Sequence, residues 1–168
     1  LFWHNHFATE AASVPDPRFT YKTNALLRQY ALGNFKTLTK EVTLDPGMLR
    51  YLNGYLNTKN APDENYGREL QELFTVGKDP QLYTEDDVQA AAKVLTGYRI
   101  DSTAIASYFD STKHDTTNKQ FSSFYNNTLI AGQAGASGAN ELDDLLNMIF
   151  DRPQVAEHVC RKLYRFFV

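Results

Sequence analysis

Asp63-Glu64-Asn65-Tyr66-Gly67-Arg68-Glu69-Leu70-Gln71-Glu72-Leu73-Phe74-Thr75-Val76-Gly77 reads as one helix from cap to stop. Asp63 can accept a bond from a first-turn amide, and Glu64 in that turn faces the positive end of the helix dipole. Tyr66, Leu70, Leu73 and Phe74 recur at helical spacing and predict the buried face, and Gly77 supplies a stop. Beyond the turn Lys78-Asp79-Pro80, Thr84 and Asp87 approximate a capping box, so Asp86 and Asp87 read as helix-initiating acids. Val88, Ala91, Ala92 and Leu95 form that helix's buried face before Gly97.

Helical spacing extends in both directions. Toward the N-terminus it predicts helices over Tyr21 to Gly33, from Phe35 to Val42, and from Met48 to Asn53. Toward the C-terminus it runs through Leu142, Leu145, Leu146, Ile149 and Phe150, then after Pro153 through Val155, Val159, Leu163 and Phe166. Tyr98 to Leu129 breaks the pattern. Serine, threonine, asparagine and aromatics dominate there, and Ile105–Phe109 can pair with Phe121–Tyr125 as a short β-hairpin across the loop holding His114 and Asp115. The expected fold is mainly α: a multi-helix domain over residues 1–168 with a loop-rich middle segment. Both ends look cut, which suggests a fragment of a longer protein.

Composition narrows the function classes. A net charge of -3 disfavours nucleic acid, whose phosphates are bound by lysine and arginine excess. No apolar run approaches the roughly 20 residues of a membrane span. The single cysteine, Cys160, excludes an internal disulfide and is expected to pack as a small apolar group.

Candidate chemistry begins in Phe2-Trp3-His4-Asn5-His6-Phe7. Side chains two apart share a face in an extended segment, so His4 and His6 could ligate one metal; on a helix they diverge by about 200°. The acidic helix offers Glu69 and Glu72, three residues apart on one surface, where paired carboxylates can hold a cation or a proton. Arg68 beside them equally fits an ion-pair network that fixes packing. His114-Asp115 is an imidazole–carboxylate pair of the kind that suits a divalent cation acting on water, or a hydrogen bond that orders a loop. His158 reads as a surface or core-edge histidine.

The chain resembles a bacterial family catalogued as domain of unknown function 1800. The likeness is carried by Phe2 to Phe7, Ala31-Leu32-Gly33-Asn34-Phe35, Val42 to Pro46, Glu64 to Gly77, Tyr83 to Val88, Leu95-Thr96-Gly97-Tyr98, His114-Asp115 and Arg161 to Val168. It departs at Thr117, where glycine is commonly expected, and at Gly67, where alanine is commoner. The resemblance implies a mainly helical piece of a longer, exported protein, periplasmic or secreted, and brings no established activity.

Two functions follow as expectations. In the first, His4, His6 and His114 ligate a divalent metal ion while Glu69, Glu72 and Asp115 serve as catalytic groups of a metal-dependent hydrolase. In the second, these groups are internal polar struts of a non-catalytic binding or structural module. That module would recognise a protein or polysaccharide through Tyr98, Tyr108, Phe109, Phe121, Phe124 and Tyr125, or dock the remaining parts of its parent protein.

Overall fold

A change of pitch marks the quoted stretch: α-helical hydrogen bonding holds only as far as Glu69, and a wider turn follows. The structure is a computed structural model that describes residues 1–78 and 82–168, so Asp79 and Pro80 of the expected turn lie outside it. The elements, in chain order, are α1 (Phe2–His6), α2 (Pro17–Gln29), α3 (Phe35–Thr43), α4 (Pro46–Tyr51) and α5 (Glu64–Glu69). Helix α5 continues as a π-helical turn, Leu70–Thr75. Then come α6 (Glu85–Val94), strands β1 (Tyr98–Asp101), β2 (Ala106–Phe109), β3 (Lys119–Gln120) and β4 (Leu129–Ile130), and finally α7 (Glu141–Phe150) and α8 (Pro153–Phe167).

Caps set the helix starts. Asp16, Asn34, Asp45 and Asp63 each accept a first-turn amide, and Pro17 and Pro46 occupy the first helical positions. Helix α2 therefore begins before Tyr21, at a cap that apolar periodicity does not register. Thr84 and Asp87 form the reciprocal capping box before α6, with Thr84 N to Asp87 Oδ2 at 2.7 Å and Asp87 N to Thr84 Oγ1 at 3.2 Å. Helices α5 and α6 lie close together at Gly67, where a Cβ would stand 3.1 Å from Ala92 N and 3.2 Å from Val88 O. The small residue sits where the backbone of one helix meets the backbone of the other.

Leu38, Val42, Met48, Leu70, Ala91, Val94, Leu145 and Ile149 are sealed in one hydrophobic cluster that draws on α3, α4, α6, α7 and the π turn. Tyr66 and Phe74 join it, whereas Leu73, expected inside, is 44% exposed. Cys160 is exposed as well, on the outer side of α8, which corrects the expectation that it packs inside.

The expected hairpin is present with a different partner. Ala106–Phe109 pairs antiparallel with Tyr98–Asp101, in register Tyr98↔Phe109 to Asp101↔Ala106. Asp101 closes the short turn by accepting from Thr103 N at 2.8 Å and Ala104 N at 3.0 Å. Such local Asx chemistry favours the nearest strand over a distant one. Phe121–Tyr125 lies instead in the loop between β3 and β4, partly as a 3-10 turn, and β3 pairs β4 through Lys119↔Ile130.

Candidate functional site

The π turn creates the first polar centre. Because Val76 N and Gly77 N both reach back to Gln71 O, at 2.9 and 3.0 Å, the carbonyls of Leu73 and Phe74 accept no backbone amide among the described residues. Other elements fill them. His6 Nε2 donates to Phe74 O at 2.9 Å, while His158 Nε2 and Lys162 Nζ from α8 donate to Leu73 O at 3.0 Å each. A carbonyl only accepts, so neutral His6 carries its hydrogen on Nε2 and presents a bare Nδ1. Lys162 Nζ donates to that nitrogen at 3.2 Å.

Burial, reinforced by the Lys162 charge, pushes the His6 imidazole down from 6.5 to about 3. Burial lowers His158 and Lys162 too. His6 is thus held neutral between two hydrogen bonds, with Phe7, Phe35 and Phe74 around its ring at centroid distances of 4.6 to 6.2 Å. Because residues 2–6 are helical, His4 diverges from His6 and lies exposed, beside a cleft also lined by Trp3 and Arg28.

The second centre ties the middle segment to α7. His114, Lys119 and Glu141 are each no more than 1% exposed. Glu141 Oε1 accepts from His114 Nε2 at 3.0 Å and from Gln133 N at 2.7 Å, and Oε2 accepts from Lys119 Nζ at 2.6 Å. On the other side of the ring, His114 Nδ1 lies 3.0 Å from Thr96 O. The Thr96 hydroxyl already donates to Lys93 O at 2.6 Å and accepts from Asp115 N at 2.8 Å. Burial works to raise the Glu141 carboxyl, but the bonds from His114 and Lys119 outweigh it and hold it below the ordinary range.

Asp115 turns away from this ring to accept from Thr117 N at 2.8 Å and from the Thr117 hydroxyl, which gives Thr117 a turn-closing role where glycine was expected. Hydrogen bonds from Thr117 offset burial and leave the Asp115 carboxyl lowered.

Among the described residues neither Glu69 nor Glu72 forms an ion pair with a histidine. Glu72 pairs with Lys78 at 2.9 Å. Burial, with the Glu72 charge nearby, raises Glu69. Arg68 bypasses Glu69 and Glu72 and instead joins Glu85 at 2.6 Å and Glu64 at 3.2 Å, so the network is of the expected kind with different members. Among the described residues no three His, Cys, Asp or Glu side chains gather as a metal-holding group. The set His4, His6, His114, Glu69, Glu72 and Asp115 is accordingly distributed over an exposed helix face, two hydrogen-bonded centres and a separate acidic surface.

Sequence reasoning missed Lys119, Glu141 and Lys162. Lys119 and Glu141 are 22 residues apart with no motif joining them, and Glu141 reads as an ordinary first-turn acid. Lys162 meets His6 across 156 residues. No spacing rule reaches that far.

No helix among the described residues is long and apolar enough to cross a membrane. No curated protein and no solved structure matches the chain. The model of DUF1800, a family described as a protein of unknown function, matches residues 1–168, the whole of the sequence from the aromatic His4–His6 string to the end of α8, and the chain belongs to that family.

Proposed function

We propose that this chain is a non-catalytic binding or structural module whose histidines and carboxylates serve as internal struts. The observation that carries the reading is the engagement of His6 and His114. Each buried Nε2 already donates to a fold group, Phe74 O in one case and Glu141 Oε1 in the other, and each Nδ1 is also engaged, by Lys162 Nζ in His6 and beside Thr96 O in His114. Leaving such a group unpaired costs about 1–3 kcal/mol, which gives these residues a reason to exist without a reaction.

The aromatic middle segment supports a core role more than a stacking platform. Tyr98, Phe121 and Tyr125 are buried, Phe109 and Phe124 are half-buried, and Tyr108 alone of the six is 53% exposed. Recognition is therefore better sought on polar clefts than on this segment.

Elemental analysis of protein purified without a metal-affinity tag tests the reading. The expected result is less than about a tenth of an equivalent of any divalent metal, with the melting temperature unchanged in chelator and His6→Ala destabilised. Near-stoichiometric metal that His6→Ala or His114→Ala abolishes at unchanged stability would overturn it.

A further inference from the structure

We propose that the cleft between the end of the π turn and α8 binds a tetrahedral oxyanion, a phosphate or sulfate group. The cleft encloses about 490 Å³, and its charged and imidazole lining among the described residues is Lys78, His158, Arg161, Lys162, Arg165 and one acid, Glu157. Arg161, Lys162 and Arg165, together with Lys78, which Glu72 holds at 2.9 Å, thus face one carboxylate among the described residues in a chain whose net charge is -3. That local reversal of sign is the kind of field that concentrates anions.

Pairing elsewhere makes the contrast sharper. Arg18, Arg68 and Arg152 each hold a carboxylate at 2.6 to 2.7 Å. Among the described residues, neither Arg161, Lys162 nor Arg165 has a carboxylate within 4.0 Å. Arg161 and Arg165 stand one turn apart on the same face of α8, so their guanidinium groups can converge on one ligand, and guanidinium forks suit phosphate and sulfate oxygens.

Lys162 supplies the fixed point. Two of its three ammonium hydrogens are taken by Leu73 O and His6 Nδ1, both uncharged, which leaves the third to face the cleft, with no counter-ion among the described residues. A tetrahedral oxyanion can offer a separate oxygen to Lys162, Arg161 and Arg165, spread in three directions, whereas a carboxylate's two oxygens lie in one plane. The charge of an anion there would also offset the burial that lowers Lys162 and His158.

The site stands independently of the module reading, which metal analysis tests separately. Titration of the isotope-labelled chain with inorganic phosphate, inorganic sulfate and glycerol 3-phosphate, followed by NMR at about 150 mM NaCl, decides it. Saturable shifts centred on Gly77, His158 and Lys162 are expected, with Kd at or below about 1 mM for at least one of the three. The doubly substituted chain, Arg161→Gln with Arg165→Gln, should bind about tenfold or more weakly at an unchanged melting temperature, since both residues are exposed. Tighter binding of glycerol 3-phosphate would indicate a phosphate carried on a larger molecule, and tighter binding of an inorganic ion would indicate the free anion. Non-saturating shifts with all three, saturation that the double substitution leaves intact, or shifts mapping away from α8 would each overturn the proposal.

Discussion

His6 carries a pH signature that follows from its burial. Its folded value of about 3 lies below the ordinary 6.5, so the unfolded chain binds an extra proton between those limits. The stabilisation is complete above about pH 6.5 and is lost as pH falls toward 3; between 6.5 and about 4 it amounts to on the order of 3 kcal/mol. Denaturant unfolding across that range should show the loss in the native chain and a flatter acid limb in His6→Gln. An unchanged limb would mean that the ring is protonated in the fold. Gly77 is the second residue with a defined cost. Its φ of +101° favours glycine, and a Cβ there would approach His158 Nδ1 to 2.8 Å. Gly77→Ala should cost about 2 kcal/mol or more, and in a His158→Ala background only the backbone share of about 1–2 kcal/mol, as thermal melts of the four proteins would show.

Among the elements, the junction of β3 with α7 depends on buried ionic partners. Removing the carboxylate in Glu141→Gln leaves the Lys119 ammonium, 1% exposed, with Asp115 alone, whose carbonyl accepts from it and whose carboxylate stands 3.8 Å away, so about 3 kcal/mol of stability should be lost. Lys119→Met combined with Glu141→Leu should cost less than the sum of the two single substitutions in urea titrations, because neither charge is then abandoned. These contacts also show what sequence can and cannot reveal. The capping box at Thr84–Asp87 and the apolar rows of α3, α6 and α7 are local, and they are readable because the interacting residues lie within one or two turns. The π turn is not, since no residue type in Leu70–Thr75 forbids a regular helix; the donors that reward its open carbonyls come from α1 and α8. The hairpin partner was missed for a related reason: alternation marks strands, while Asp101 and its turn decide which strand is met.

Across the whole molecule, the candidate metal set was legible as residue types and illegible as a place. His6 and His114 were read as candidate metal ligands, and the partners they have in the fold include a carbonyl, a lysine and a distant glutamate. Residue types indicate which side chains need satisfying, and only the assembled chain shows by whom. Charge behaves likewise. The overall value of -3 conceals a cationic cleft on α8, because net charge averages over surfaces that a ligand meets one at a time.

The open carbonyls of Leu73 and Phe74 have a consequence for how the protein breathes. Helices α1 and α8, more than a hundred residues apart in the chain, hang from adjacent peptide groups and share the Lys162–His6 contact. Neither can detach without exposing the other's anchor. Their amides should therefore exchange with solvent deuterium as a single cooperative unit, at a common opening free energy, and loosening either helix by substitution should speed exchange in both.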